Sequence, residues 1–389
     1  MAVSGVSVRK VEGSQDFKAF LEFPWIIYKD DPNWVPPLLS IRKGLLDKKK
    51  NAEWEYMTGE YFVAWRGEKP LGTIAAFVNH RHNETQKEKI GWFGFFECVD
   101  EMEVAKALFA EAEKYIRSLG DFTAMRGPAN FTINDECALL IENFSAPVIL
   151  MPYNPPYYQK LIEQSGLGFE KIMDLFSWYS NPDLIQSEGG HLPEKLVRVV
   201  NKVSAKHKIT VRKPDPKNLR TELNLLRDIW ESAWEANWGA VSPNQAEIDH
   251  TFDDLKDYFD PDLARFGLVD GKTAGFLLAL PDMNQVLKLA YPNPKTPEFI
   301  TLLKLLWYWK VEKRIKGQRI LLMGVKPEYR RLGVDSAMNL SFFEYGVKGK
   351  YWDTDAGWVL ESNTPMNQLS VAFHAKLYKK YRFYQKPLK

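Results

Sequence analysis

The order of apolar segments and turn signals in the first ~180 residues recurs in the last ~180, and this repeat restricts the fold more than any other feature. In the first half, residues 61–65 lead through a Gly67 turn into 71–77, two apolar runs that read as a hairpin. In the second half, 265–269 lead through Asp270-Gly271 into 274–280, and Asp-Gly is a strong hairpin turn. Each hairpin is preceded by a short strand and a helical stretch, at 6–11 and from Ser14 on, and at 209–212 and 219–238. Each is followed by a strand and a helix, at 91–99 and 101–119, and at 319–325 and 335–345. Further strands at 122–126 and 357–361 precede a helix and an aromatic-rich strand, at 156–165 and 170–179, and at 365–373 and 377–385. The order β-α-β-β-β-α-β-α-β therefore occurs twice, which predicts two copies of one mixed α/β unit.

The expected division is a first domain at 1–180, a linker with a linking helix (193–206) over 181–207, and a second domain at 208–389. With 45% apolar residues and 14% aromatic ones, each half has material for its own core, which excludes a disordered chain. Fifty-two Lys and Arg against 50 Asp and Glu leave a net charge of +2, so no global field favours nucleic acid. Two cysteines, Cys98 and Cys137, are too few for a disulfide framework or a Cys-rich zinc site, and fit a reducing cytoplasm. The N-terminus lacks the apolar core of a signal peptide. The longest apolar run, 299–309, is interrupted by Thr301 and Lys304 and is shorter than the ~20 residues of a membrane span. No metal site is expected, because the His80-x-His82 pair has no accompanying ligands, and Lys48-Lys49-Lys50 reads as a solvated loop.

The segment from Arg319 to Met338 carries the chemistry, reading as strand, loop and helix. A loop entering a helix presents unpaired backbone N–H groups and the positive end of the helix dipole, which suits a phosphate or pyrophosphate. Gly333 admits close approach of a ligand to the backbone, and Arg330 and Arg331 add positive charge. Here the chain resembles the GNAT superfamily of acyl-CoA N-acyltransferases, whose pyrophosphate loop reads V-x-P-x-[YF]-R-x-x-G-x-[GA]. Val325, Pro327, Tyr329, Arg330 and Gly333 fill that pattern in register. Asp335 stands where the family usually has Gly or Ala, and a carboxylate beside a pyrophosphate is unfavourable unless it turns away as a helix cap.

The resemblance implies two tandem GNAT-like domains, each a mixed central sheet flanked by helices, with acyl-CoA as cosubstrate and a small-molecule or peptide amine as acceptor. It implies that Met323, Gly324 and Val325 pair with the pantetheine arm. Arg330, Arg331, Leu332, Gly333, Val334, Asp335 and Ser336 would hold the pyrophosphate. The first half is the same unit without the loop, with four carboxylates between Glu97 and Glu103 in the corresponding place. Tandem pairs with one working half also occur among N-myristoyltransferases and peptidoglycan-bridge aminoacyltransferases, which the architecture resembles.

Transfer to an amine needs a base, and Glu361 at a strand end is the first candidate. Tyr378 is the candidate acid for the leaving thiolate. Asn363 either holds CoA or caps the helix that follows it. Asp282 and the row Trp230, Trp234 and Trp238 could border an acceptor pocket, although core packing is the better account of the row. The polar stretches 126–136 and 153–158 read as an acceptor wall or as ordered loop. Acetyl transfer is the expected activity. The alternatives are an acyl-CoA-binding or sensing protein without catalysis, and an aminoacyl or long-chain acyl transferase.

Overall fold

The computed structural model describes residues 5–181, 192–234, 238–241, 247, 258–348 and 351–388. Contacts divide the chain into two compact units. The first contains residues 1–174, 286–312 and 379–389, and the second 175–285 and 313–378.

The first half runs β1 (Ser7–Lys10), α1 (Ser14–Glu22), α2 (Pro24–Ile27), α3 (Leu39–Leu46), β2 (Met57–Arg66), β3 (Lys69–Asn79), α4 (His80–Gln86), β4 (Ile90–Cys98), α5 (Met102–Leu119), β5 (Ala124–Gly127), β6 (Leu139–Glu142), α6 (Tyr157–Glu163) and β7 (Glu170–Ser180). The second continues with α7 (Glu194–Lys206), β8 (Ile209–Arg212), α8 (Leu219–Trp234), β9 (Ala264–Val269), β10 (Lys272–Pro281), α9 (Asn284–Ala290) and α10 (Glu298–Leu306). It ends with β11 (Gly317–Val325), α11 (Val334–Lys348), β12 (Asp353–Leu360), α12 (Thr364–Ala372) and β13 (Lys376–Pro387). The twofold order expected from the sequence is present, with α2, α3, α4, β6, α9 and α10 added to it.

In the first unit the strands follow the order β1-β2-β3-β4-β5-β13, with β6 also on β13, and in the second β8-β9-β10-β11-β12-β7. The two orders correspond strand for strand, except that the closing strands are exchanged. Tyr384 of β13 lies opposite Gly127 of β5, and Ser180 of β7 lies opposite Thr354 of β12.

Helix α5 shows how sequence becomes packing in the first unit. Val104, Ala105, Leu108, Phe109, Ala112 and Ile116 recur at helical spacing and are all buried. They press on the sheet where Gly72 and Gly91 leave room; a Cβ there would come within 2.7 Å of Leu108 and 2.5 Å of Ile116. In the second unit Ile229 of α8 packs on Phe266 and Phe276. Trp230 is half-buried, and the side chains of Trp234 and of residues 235–237 lie outside the described residues. Strand β12 starts four residues earlier than the sequence suggests, because the polar residues at its start have partners. The Tyr179 hydroxyl donates to Asp353 Oδ1 at 2.7 Å, and Gln318 Nε2 donates to Thr354 Oγ1 at 3.0 Å.

Candidate active site

Both units contain a parallel strand pair that separates after three residue pairs. In the second unit β11 and β12 pair from Gly317↔Asp353 to Arg319↔Asp355 and then part. The register of β10 against β11 shifts between Leu278 and Ala279, which places one extra residue, Leu321, in β11 just past the last pair with β12. Such a bulge turns a strand away from its neighbour. Beyond Arg319, β11 pairs only with β10 among the described strands, so one edge of Leu322, Met323, Gly324 and Val325 is left without a ladder.

In the first unit β4 and β5 part after Trp92↔Arg126, but that fork is filled. Ala129 N–H donates to Phe93 O at 2.9 Å, and Phe95 N–H donates to Asn130 Oδ1 at 2.9 Å. A Cβ on Gly94 would lie 1.7 Å from Ala129 O. The polar stretch 126–136 is thus the plug of this fork.

The β11 edge leads into a one-turn helix at Pro327–Tyr329 and then into α11. Arg331 and Gly333 have φ of +66° and +88°, so the chain turns through the left-handed region twice before the helix begins. No acceptor among the described residues meets the backbone N–H of Arg331 or Gly333. The first N–H groups of α11 have no partner within the helix. Three side chains are committed to the protein. Arg330 Nη2 donates to Ala233 O at 3.0 Å, Lys326 pairs with Asp228, and Asp335 Oδ1 accepts from Ser336 N–H at 2.8 Å. Asp335, in the first turn of α11, therefore occupies one of the donors a phosphate would use. On the far side, Val203 of α7 lies so close to Gly333 that a Cβ there would be 2.9 Å from Val203 Cγ1.

At the apex of the fork lies a buried polar group that the sequence reading missed. Asp355 is 3% exposed; its Oδ2 accepts from Ser177 Oγ at 2.6 Å and from the Tyr378 hydroxyl. Its Oδ1 has no hydrogen-bond partner among the described residues. Gly357 makes room for it, since a Cβ there would stand 2.9 Å from Asp355 Oδ1 and 1.9 Å from Ser177 Oγ. Arg319, opposite Asp355 in register, is buried and donates to Gly357 O at 3.0 Å. The sequence held only a weak signal for Asp355: it is one of two acids, with Asp353, just ahead of the strand that the repeat places at 357–361.

The remaining candidates are dispersed. Glu361 is the first residue after β12, at the open mouth of the fork. Asn363 caps α12, its Oδ1 accepting from Met366 N–H at 3.4 Å. Asp282 is buried and accepts from Asn284 N–H at 3.2 Å. His80 and His82 do not converge: His80 meets Thr58 Oγ1 at 2.9 Å and His82 meets Glu88 at 3.0 Å. In the first unit Glu97 does not face outward with the other carboxylates. Tyr28 and Tyr158 both donate to its Oε2, at 2.8 and 2.7 Å, and burial pushes its carboxyl up to about 7. Glu101 instead pairs with Arg66 at 2.6 Å.

Comparison with known proteins agrees with this geometry. No protein-family model matches the chain. Protein YghO of Escherichia coli (strain K12) is 33% identical over 387 residues, covering 98% of this chain and 95% of the relative. The bacterial ceramide synthase of Caulobacter vibrioides (strain NA1000 / CB15N) is 30% identical over 398 residues, covering 98% of each. Among solved structures, the tandem GNAT protein from the clavulanic acid biosynthesis pathway superposes with a TM-score of 0.54 at 11% identity, over 98% of both chains. That likeness is one of fold. The chain thus belongs to the family that includes Protein YghO and the bacterial ceramide synthase, built on the tandem GNAT fold.

Proposed function

We propose that this chain is an acyl-CoA-dependent N-acyltransferase that joins a long acyl group to the primary amine of a lipid base. The observation that carries the reading is the open fork between β11 and β12, which ends in the turn at Gly333 and the N-terminus of α11. The residues fit a CoA ester: the unpaired β11 edge suits an extended amide-bearing arm, and the N–H groups of Arg331, Gly333 and Val334 suit a pyrophosphate. Asp335 has to release Ser336 for the fit to be complete. Bound there, the ester supplies an activated acyl carbonyl.

Transfer forms a C–N bond and breaks the C–S bond; the amine loses a proton and the departing thiolate gains one. Asp355 and Tyr378 are placed to handle these protons. The two candidate bases, Asp355 on β12 and Glu361 just past its end, are six residues apart, up to about 20 Å at ~3.3 Å per residue, so one reacting amine cannot meet both. The buried and unpartnered Oδ1 favours Asp355 as the base, with Tyr378 returning a proton to the leaving group.

A long acyl chain is preferred to acetyl because a relative at 30% identity is named a ceramide synthase, and a ceramide is a fatty amide of a long-chain base. Cys98 and Cys137 are buried free thiols, which supports a reducing compartment such as the cytoplasm. Thiol release from acetyl-CoA and from long-chain acyl-CoA, with and without a long-chain amino alcohol, tests the reading. Faster release from acetyl-CoA would restore the acetyltransferase reading, and ester binding without amine-dependent release would make the chain a sensor.

A further inference from the structure

Among the described residues, the largest share of exposed apolar side chains lies outside the fork, on the insertion that carries α10. Among the described residues, eight of the fifteen exposed large hydrophobic side chains fall between Leu289 and Val311. Phe299, Leu302, Leu303 and Leu306 recur at i, i+3, i+4 and i+7, one face of a helix, and the row continues into Trp307 and Val311. This spacing ordinarily marks a face buried in a core. Here the buried side is the opposite one, with Thr301 and Leu305, while the apolar row is exposed by 42% at Leu302 up to 63% at Phe299.

The helix is fixed in this orientation. The amide N–H of Ser40 donates to Glu298 Oε2 at 2.9 Å, and the indole of Trp25 donates to Pro292 O at 2.8 Å. Charge adds the second half of the pattern. Lys304 and Lys310 are exposed within the row, and the chain continues directly into Lys313 and Arg314. Glu312, an acid in this stretch, accepts from the Trp307 indole at 2.8 Å. At nine residues, α10 is about 14 Å long, half the ~30 Å of a bilayer core, so it cannot cross. An apolar row with interleaved lysines and interfacial aromatics is the composition of a helix lying in the plane of an anionic lipid surface.

We propose that the face formed by Phe299, Leu302, Leu303, Leu306, Trp307 and Val311 docks the protein on an anionic lipid bilayer, with Lys304 and Lys310 at the headgroups. The docking is independent of the acyl transfer proposed above, because vesicle binding is read without turnover. The test is co-sedimentation of the full chain with phosphatidylcholine vesicles, with and without phosphatidylglycerol. Binding is expected only with the anionic lipid, and Leu303→Asp with Leu306→Asp should abolish it. Each of Lys304→Glu and Lys310→Glu should weaken it about fivefold, a loss that shrinks as salt is raised. These sites are exposed, so circular dichroism should be unchanged, and the lysine variants provide a readout that does not touch the apolar row. No sedimentation of the folded protein with anionic vesicles would overturn the proposal. So would a dimer in light scattering that Leu303→Asp converts to monomer, since a second copy would then be what covers the face.

Discussion

The hydroxyl of Tyr378 donates a hydrogen bond to Oδ2 of Asp355, while Oδ1 of the same buried carboxylate has no partner among the described residues. Three strands build this contact, two consecutive and one distant in sequence: Asp355 comes from β12, Tyr378 from β13 and Ser177 from β7. If the pair handles the protons of transfer, Asp355→Asn and Tyr378→Phe should each lower kcat about 100-fold with KM for the acyl-CoA nearly unchanged. The double variant should be little worse than the poorer single one, as for residues acting as a unit. Turnover separates the two bases: loss of kcat in Glu361→Gln with kcat kept in Asp355→Asn would assign the base to Glu361.

Asp335 blocks one donor of the α11 N-terminus and places a negative charge there. Removing it should act in opposite directions on ligand and fold. Asp335→Ala should tighten CoA by up to about fivefold in calorimetry and weaken the helix by about 0.3–1 kcal/mol, the size of an N-terminal charge effect. Weaker CoA binding in this variant would mean that the carboxylate itself orders the loop for the ligand.

Gly333 has a backbone conformation that L side chains rarely adopt, and a Cβ there meets Val203 at 2.9 Å. Gly333→Ala should cost about 1–2 kcal/mol for the left-handed residue and weaken CoA binding at least as strongly. Val203→Ala, which removes the neighbour but leaves the turn, should keep CoA affinity. Equal affinity in the wild type and Gly333→Ala would remove the loop from the ligand site.

Much of this architecture is legible in the sequence because turn chemistry and strand order survive in both halves: Asp270-Gly271 marks one hairpin, and the pattern from Val325 to Gly333 marks the loop. Three features are not legible, each for a physical reason. Asp353-Thr354-Asp355 lies ahead of the strand that the sequence suggests, and joins it where Tyr179, Gln318 and Ser177 supply partners. The exchange of β7 and β13 leaves no trace, because both closing strands have the same aromatic-rich pattern. Glu97 reads as one of four carboxylates in the place of the loop, but Tyr28 and Tyr158, distant in sequence, hold it by hydrogen bonds.

Glu97 also makes folding depend on pH. Burial holds its carboxyl at about 7, above the ordinary 4.5, so the folded state binds the proton more tightly than the unfolded one. The stabilisation is complete below about pH 4.5 and is lost as pH rises through about 7, a swing of no more than about 3 kcal/mol. Glu97→Gln should therefore gain stability relative to the wild type between about pH 5 and about pH 8 in urea unfolding. A constant difference across that range would mean that Glu97 titrates normally.

The most direct measurement is amide formation by the purified full chain from long-chain acyl-CoA and sphinganine, followed by mass spectrometry together with free thiol. The fork, the loop and the family predict one amide and one thiol per turnover, lost in Asp355→Asn. Folded protein that binds the ester but forms no amide with any long-chain amine would contradict the assignment.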